Sequence, residues 1–239
     1  MSMTTNGITP FRRIECDSTS WHPTRQAHVQ GTDCPRILNV SPWGGPHNVY
    51  DEKTGAAPQK DISDKPYVIY GKAMEPVIRS QVMLDLPYFD LYYNEFCVLE
   101  SSYRPWQGCT LDGELTVNTE DNPWNLKVGD KGVLEIKTGS FRRESDLDGW
   151  KDGIPQHYYC QVIHQLAVTQ YAFAIVAARV KRDAYRDEDA GFPEIRWFYR
   201  IVDMRNPQTV EDIRYVNAEE RKFWQCVVEK RRPAIVLKH

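Results

Sequence analysis

The sequence contains no Cys-x-x-C pair, although six cysteines are spread over its 239 residues. They stand singly at positions 16, 34, 97, 109, 160 and 226, which argues against a zinc ribbon or disulfide framework and for reduced thiols in a cytosol-like compartment. No apolar run approaches the roughly 18 residues of a membrane span. Residues 1–10 are polar and lack the apolar stretch of a signal peptide, so a cytoplasmic, membrane-free protein is expected. Internal repeats and low-complexity stretches are also missing. Neither sign of charge dominates: 30 Lys and Arg against 33 Asp and Glu give a formal net charge of −3. The balance is uneven along the chain. Residues 1–120 carry 10 basic and 15 acidic side chains, residues 121–239 carry 20 and 18, so any basic track for a polyanion draws on the second half.

What is present suits one sizeable α/β domain: 41% of the residues are hydrophobic, enough for a full core. Residues 1–20 read as a lead-in, extended around Phe11 to Glu15, residues 21–205 as the core, and residues 217–232 as a C-terminal helix. The chain centres on Thr110–Val117 and Gly132–Thr138, two runs with the period-2 alternation of strands. The Asn-, Asp-, Pro- and Gly-rich stretch 118–130 connects them. In the second run Val133, Glu135 and Lys137 share one face, Leu134, Ile136 and Thr138 the other. A carboxylate and an ammonium thus point the same way from a strand that otherwise looks like core, and such charges are costly unless paired or bound to metal. Asp112 offers a second carboxylate, and two carboxylates suit Mg²⁺ or Mn²⁺. The same pattern also fits a surface hairpin with ordinary ion pairs, and spacing alone does not separate the two.

Along the rest of the chain, Trp21–Gln30 reads as a helix ending at Gly31 in a left-handed position. Thr32 and Asp33 then open a second short helix, with Pro35 in its first turn. Arg25 and Thr32 could converge on one anion, since guanidinium and helix-start N–H groups both favour phosphate; a surface arginine and an ordinary cap fit equally. Residues 41–66 read as a loop holding a short helix over 48–53. Val68–Leu84 is helical, with Glu75 near its middle, where a solvated carboxylate is the ordinary reading. Phe89–Leu99 and Ser101–Trp106 read as strands. Ser140–Asp152 is a charged loop whose Arg142 and Arg143 suit either DNA-backbone contact or solvent. A helix follows from Pro155 to about Gln170, with Tyr158, Gln161 and Gln165 on one face and Val162, Leu166 and Phe173 on another. Tyr171–Val180 and Ile195–Val202 read as antiparallel strands around a charged turn at 181–191, and Asn217–Lys230 as an amphipathic helix.

The arrangement Asp112…Glu135-Ile136-Lys137 resembles the core of the PD-(D/E)XK nucleases. The run Tyr158-Tyr159-Cys160-Gln161-Val162-Ile163-His164-Gln165 resembles the glutamine-bearing helix of their viral recombinase branch, the phage lambda exonuclease family. Upstream, Trp21-His22-Pro23-Thr24-Arg25 with Gly31-Thr32-Asp33, and Gly71-Lys72-Ala73-Met74-Glu75-Pro76, match two further blocks of that branch in the right order. The resemblance implies a restriction-endonuclease-like core, a central mixed β-sheet flanked by helices. It implies a Mg²⁺-dependent 5′-to-3′ exonuclease in a bacterial or phage-infected cell, acting on double-stranded DNA ends. Its product would be 3′ single-stranded tails for a strand-annealing partner. By the same resemblance Asp112, Glu135 and the Ile136 carbonyl hold metal, Glu75 supports it through water, and Lys137 positions or activates water. Gln161 bonds near the scissile phosphate or the metal-bound water, with Tyr158 and Gln165 as support. Arg25, Thr32 and Thr110 bind the terminal 5′-phosphate; the family usually has Ser where this chain has Thr32. Val68–Tyr70 falls where the family has a strand-separating wedge. The family's ring-shaped homotrimer is expected here too. Two other readings stay open: an endonuclease of the same fold acting as a dimer on internal sites, and a DNA-end-binding subunit without activity.

Overall fold

The computed structural model describes residues 9–59, 61–183 and 193–234. In chain order its elements are β1 (Phe11–Glu15), α1 (Trp21–Gln26), α2 (Cys34–Ile37), α3 (Pro46–Thr54), α4 (Pro66–Asp85), β2 (Phe89–Tyr92), β3 (Cys97–Ser101), β4 (Gly108–Cys109), β5 (Gly113–Val117), β6 (Lys131–Phe141), α5 (Asp148–Lys151), α6 (Gln156–Thr169), β7 (Phe173–Arg182), β8 (Ile195–Asp203) and α7 (Pro207–Val228). A five-stranded sheet runs in the order β2-β5-β6-β7-β8. Only β6 and β7 are parallel; the other three pairings are antiparallel. The expected central mixed sheet flanked by helices is therefore present, and β6 lies at its middle.

Alternation along β6 divides the core as its sequence implies. Val133 packs with Val162, Ile163 and Leu166 of α6 in one cluster, which also takes Ile213 and Val216 of α7. Leu134 and Ile136 turn to the opposite face, against Ile78 and Val82 of α4 with Phe89, Leu115 and Phe173. Burying each such aliphatic side chain is worth about 1.5–3 kcal/mol, so the two faces anchor the strand independently. β6 and β7 are parallel because α5 and α6 form the crossover between them, which parallel pairing requires. A second sheet, β1-β3-β4, is antiparallel and rests on α6 through Leu99, Cys109 and Val168.

Several boundaries differ from the sequence expectation. Of the expected strand Thr110–Val117 only Gly113–Val117 is strand, the β5 that pairs with β2 and β6 in the large sheet; residues 110–112 form the joint from β4, which pairs with β3 in the small one. Likewise Phe89–Leu99 divides into β2 and β3 in different sheets, and Ser101–Trp106 is mostly turn. The first helix ends at Gln26 and not at Gln30, since the chain must straighten for Val29 to bridge Gln107. The last helix begins ten residues early, at Pro207: Asn206 caps it by accepting from the Gln208 N–H at 3.0 Å, and proline is preorganised for the first helical position. Phe173 lies on β7 and faces α4, not the α6 side. Most of the charged turn expected over 181–191 lies outside the described residues.

Candidate active site

The joint at residues 110–112 places the site. Leaving the small sheet at Cys109 and entering the large one at Gly113, the chain carries Asp112 against the middle of β6, where Asp112 Oδ2 accepts the Ile136 N–H at 2.7 Å. Arg79 of α4 fixes the same corner by donating to the Asp112 carbonyl at 3.2 Å. Glu135 is buried on the α6 face. Its Oε1 accepts from Lys137 Nζ and from Gln161 Nε2, each at 2.6 Å, and its Oε2 from Gln165 Nε2 at 2.6 Å. Lys137 donates in turn to Gln161 Oε1 at 2.8 Å, and its ammonium stands 4.7 Å from the centre of the Tyr158 ring. One turn and two turns of α6 thus bring Tyr158, Gln161 and Gln165 to one carboxylate–ammonium pair, as their spacing allows.

The electrostatics are those of crowded acids. Burial, with the charge of Glu135 beside it, pushes Asp112 well above the usual carboxylate range. Burial likewise raises Glu75; Glu135 adds to the rise, while Arg79 and Lys72 oppose it. For Lys137, burial disfavours the charged form, but Glu135 and Asp112 outweigh it and raise the pKa, so the side chain is a cation. Adjacent buried carboxylates with an excess of acid over base are a donor set that a divalent cation would relieve. Among the described residues no three His, Cys, Asp or Glu side chains converge as a ready-made metal cluster. The chemistry therefore fits an ion such as Mg²⁺, which takes one or two carboxylates and keeps several waters, better than it fits zinc.

The upstream residues arrive through a close approach of backbone to helix. Gly31 lies over α6, where an added Cβ would stand 3.0 Å from Gln161 Cγ and 3.6 Å from Gln165 Cγ. Its φ is not positive, so glycine is required here for room and not for the left-handed turn its position after α1 suggested. Arg25 stacks over Trp21, one helical turn back, with its guanidinium carbon 4.5 Å from the ring centre. Burial lowers the pKa of Arg25 against the pull of Asp33, Asp112 and Glu135, and its buried Nε has no partner. Arg25 and Thr32 line one pocket together with His22, Gln30, Asp33 and Lys53. Thr110 does not line it; its carbonyl accepts from Gln165 Nε2 at 3.4 Å. Lys53 lines the pocket beside Gln26, Glu52 and Gln59, and none of these four was foreseen from the sequence. It is a buried ammonium, 2.8 Å from Asp33 Oδ2 and donating to the His28 carbonyl at 2.6 Å, but in sequence it reads as one more lysine on a short polar helix. Tyr70, in the first turns of α4, accepts a hydrogen bond from Arg179 of β7.

Residues 20–172 match the YqaJ-like viral recombinase domain, well over half of the chain and the whole of this site. The chain belongs to that family. It is also similar to the uncharacterized protein YqaJ of Bacillus subtilis (strain 168), at 25% identity over 158 residues. That match takes in 66% of this chain but only 44% of the longer YqaJ protein. In fold, the recombinase-family chain resembles the alkaline exonuclease LHK-Exo of Laribacter hongkongensis, with a TM-score of 0.51 at 16% identity over 89% of this chain and 98% of that one. LHK-Exo in complex with dAMP gives a TM-score of 0.55 at 15% identity, covering 89% and 95%. The architecture is accordingly the restriction-endonuclease-like one, as expected.

Proposed function

We propose that the chain is a Mg²⁺-dependent deoxyribonuclease, a 5′-to-3′ exonuclease that degrades one strand of linear double-stranded DNA. The observation that carries this reading is the joint between the two sheets, which brings Asp112 to the Ile136 N–H, next in sequence to the Glu135 that Lys137 and Gln161 hold. Asp112, Glu135 and the Ile136 carbonyl would hold the ion, with Mn²⁺ able to substitute and Glu75 acting through water. When bound, such an ion polarises the phosphoryl oxygens and makes its water a stronger nucleophile. Lys137, kept cationic by its acidic neighbours, orients the attacking water and offsets charge on the phosphate, while Gln161 holds that ammonium against Glu135. Membership of the viral recombinase family and a fold shared with an alkaline exonuclease support nuclease chemistry. The pocket of Arg25 and Thr32, across Gly31 from Gln161, supports action at a chain end, because it can hold a terminal 5′-phosphate next to the carboxylates. The 3′ tails left behind would serve a strand-annealing partner, as in phage-type recombination.

The test is a time course on linear duplexes labelled at one strand end or the other, with and without a 5′-phosphate, alongside covalently closed circular DNA. The proposal requires loss of the 5′-ended strands from linear DNA, faster with the phosphate, and intact circles. Cutting of closed circles would favour the endonuclease reading, and binding without digestion the inactive end-binding subunit.

A further inference from the structure

A run of aromatic rings leads from the lysine of the site out to solvent. Tyr158 lies beneath the Lys137 ammonium, stacks on Trp150 at 5.5 Å, and has the His157 ring 4.0 Å away. Trp43 meets His157 at 5.1 Å, nearly perpendicular, and its centre is 6.3 Å from Tyr158. Trp43 is thus one ring removed from Tyr158, on which the ammonium rests, yet it is 69% exposed. Its turn is fixed: the Trp43 N–H donates to Ser41 Oγ at 3.1 Å, and the next residue, Gly44, has a φ of +142°, which side-chain-bearing residues rarely adopt. An exposed indole held in place offers a large rigid π-face, and tryptophan is enriched where proteins meet their partners. Burial and the neighbouring Lys137 charge lower the His157 pKa, so the ring backing Trp43 is neutral near physiological pH.

We propose that Trp43, backed by His157, is a stacking platform for an unpaired nucleobase of the strand being cut, next to the phosphate held at Lys137. The platform rests on the nuclease reading above and deepens it. Every base has a π-face, so such a platform adds binding without sequence preference, as an enzyme that digests any DNA needs. It also favours a terminal nucleotide that has left the duplex, since both π-faces of such a base are free, whereas an internal paired base is already stacked on both sides.

The experiment uses the full wild-type chain with metal removed by EDTA to keep DNA uncut, and duplexes carrying 2-aminopurine at the 5′-terminal nucleotide, whose fluorescence falls on stacking. Binding is expected to quench the probe. Trp43→Ala should restore most of the emission at saturating protein, and Trp43→Phe should keep the quenching. With Mg²⁺ restored, Trp43→Ala should raise KM about 5- to 150-fold, the worth of one base–aromatic stack, with a smaller change in kcat. A terminal abasic nucleotide should cost wild type a similar factor and Trp43→Ala nothing further. Equal quenching in Trp43→Ala, or an undiminished dependence on the terminal base, overturns the platform. So does a change in oligomeric mass on Trp43→Ala with base dependence intact, which would assign the ring to an interface between copies. A wild type that binds the probe but cuts no DNA with Mg²⁺ restored overturns the nuclease reading instead, and the fluorescence comparison still decides the platform. Absence of any DNA binding overturns both.

Discussion

At the scale of single residues, Glu135 is the point on which the site turns, because one carboxylate accepts from Lys137, Gln161 and Gln165 at once. Glu135→Gln keeps the shape but removes the charge that pairs with Lys137 and would hold the ion, so strand cleavage is expected to fall by at least about 100-fold. Lys137→Met, which keeps the side-chain volume, should do the same. Asp112 remains as a counter-charge for Lys137 in the first variant, so circular dichroism should still show a folded protein. Either variant cutting DNA at near wild-type rate in saturating Mg²⁺ would remove these residues from the mechanism. Arg25→Ala should slow digestion of 5′-phosphorylated ends by about 10- to 100-fold, the worth of a charge-assisted hydrogen bond, and leave 5′-hydroxyl ends little changed. Rates on the two kinds of end, measured in parallel, should converge; a preserved preference would place the phosphate elsewhere. Much at this scale was legible in the sequence. The one-face placement of Glu135 and Lys137 followed from strand alternation, and the Tyr158–Gln161–Gln165 face from helix periodicity. Lys53 and Arg79 were not legible, because their partners, Asp33 and the Asp112 carbonyl, meet them only through the fold.

Among the elements, β6 and α6 followed from periodicity alone, since each is long and packs on both sides. The joint at 110–112 did not: Thr110 to Val117 keeps strand-like alternation although its first three residues only link β4 to β5, and nothing local marks the exchange of partners. The N-terminal half of α7 was missed for a different reason: Asn206 and Pro207 set its start ten residues before the amphipathic stretch expected from Asn217. Two buried contacts hold these elements together. Gly132 lies against the Phe173 ring so closely that an added Cβ would be 2.3 Å from it, so Gly132→Ala must displace β6 or the ring. The expected cost is roughly 1–3 kcal/mol in chemical denaturation, and no loss of stability would contradict this packing. The second joins α6 to α7. His164 is buried, with Nδ1 2.8 Å from Glu220 and Nε2 2.9 Å from the Gly108 carbonyl. Burial opposes its charge, but Glu220 and that carbonyl outweigh it and raise the His164 pKa above its ordinary value near 6.5. A raised folded-state pKa contributes stability in full below the unfolded value, and this is lost as pH rises through the folded one. Wild-type thermal stability should therefore decline above about pH 6.5. Glu220→Gln should flatten that decline and lower stability in acid by roughly 3–5 kcal/mol. Parallel pH profiles for the two proteins would show that the pair does not titrate.

For the whole molecule, the difficulty is a net charge of −3 on a protein proposed to travel along a polyanion. Identical subunits set head to tail can turn their basic surfaces inward and close a ring, so that DNA is retained by topology and not by tight contacts. A homotrimer is the expected state in solution; light scattering that gave a monomer at micromolar concentration, with processive digestion retained, would rule it out, and a dimer would favour an endonuclease. At the same scale, no helix among the described residues is long and apolar enough to cross a membrane, in keeping with the composition. Everything proposed about ends, strands and rings depends on one thing, that Asp112 and Glu135 hold a divalent cation and cleave DNA with it. The most direct measurement is the initial rate on a 5′-phosphorylated linear duplex, with Mg²⁺ titrated in after complete removal of metal by EDTA, for wild type and Glu135→Gln together. Wild type should be inactive without metal and recover saturably as Mg²⁺ returns, while Glu135→Gln stays inactive at every concentration. Digestion by the metal-free wild type, or full recovery of Glu135→Gln, would contradict the site.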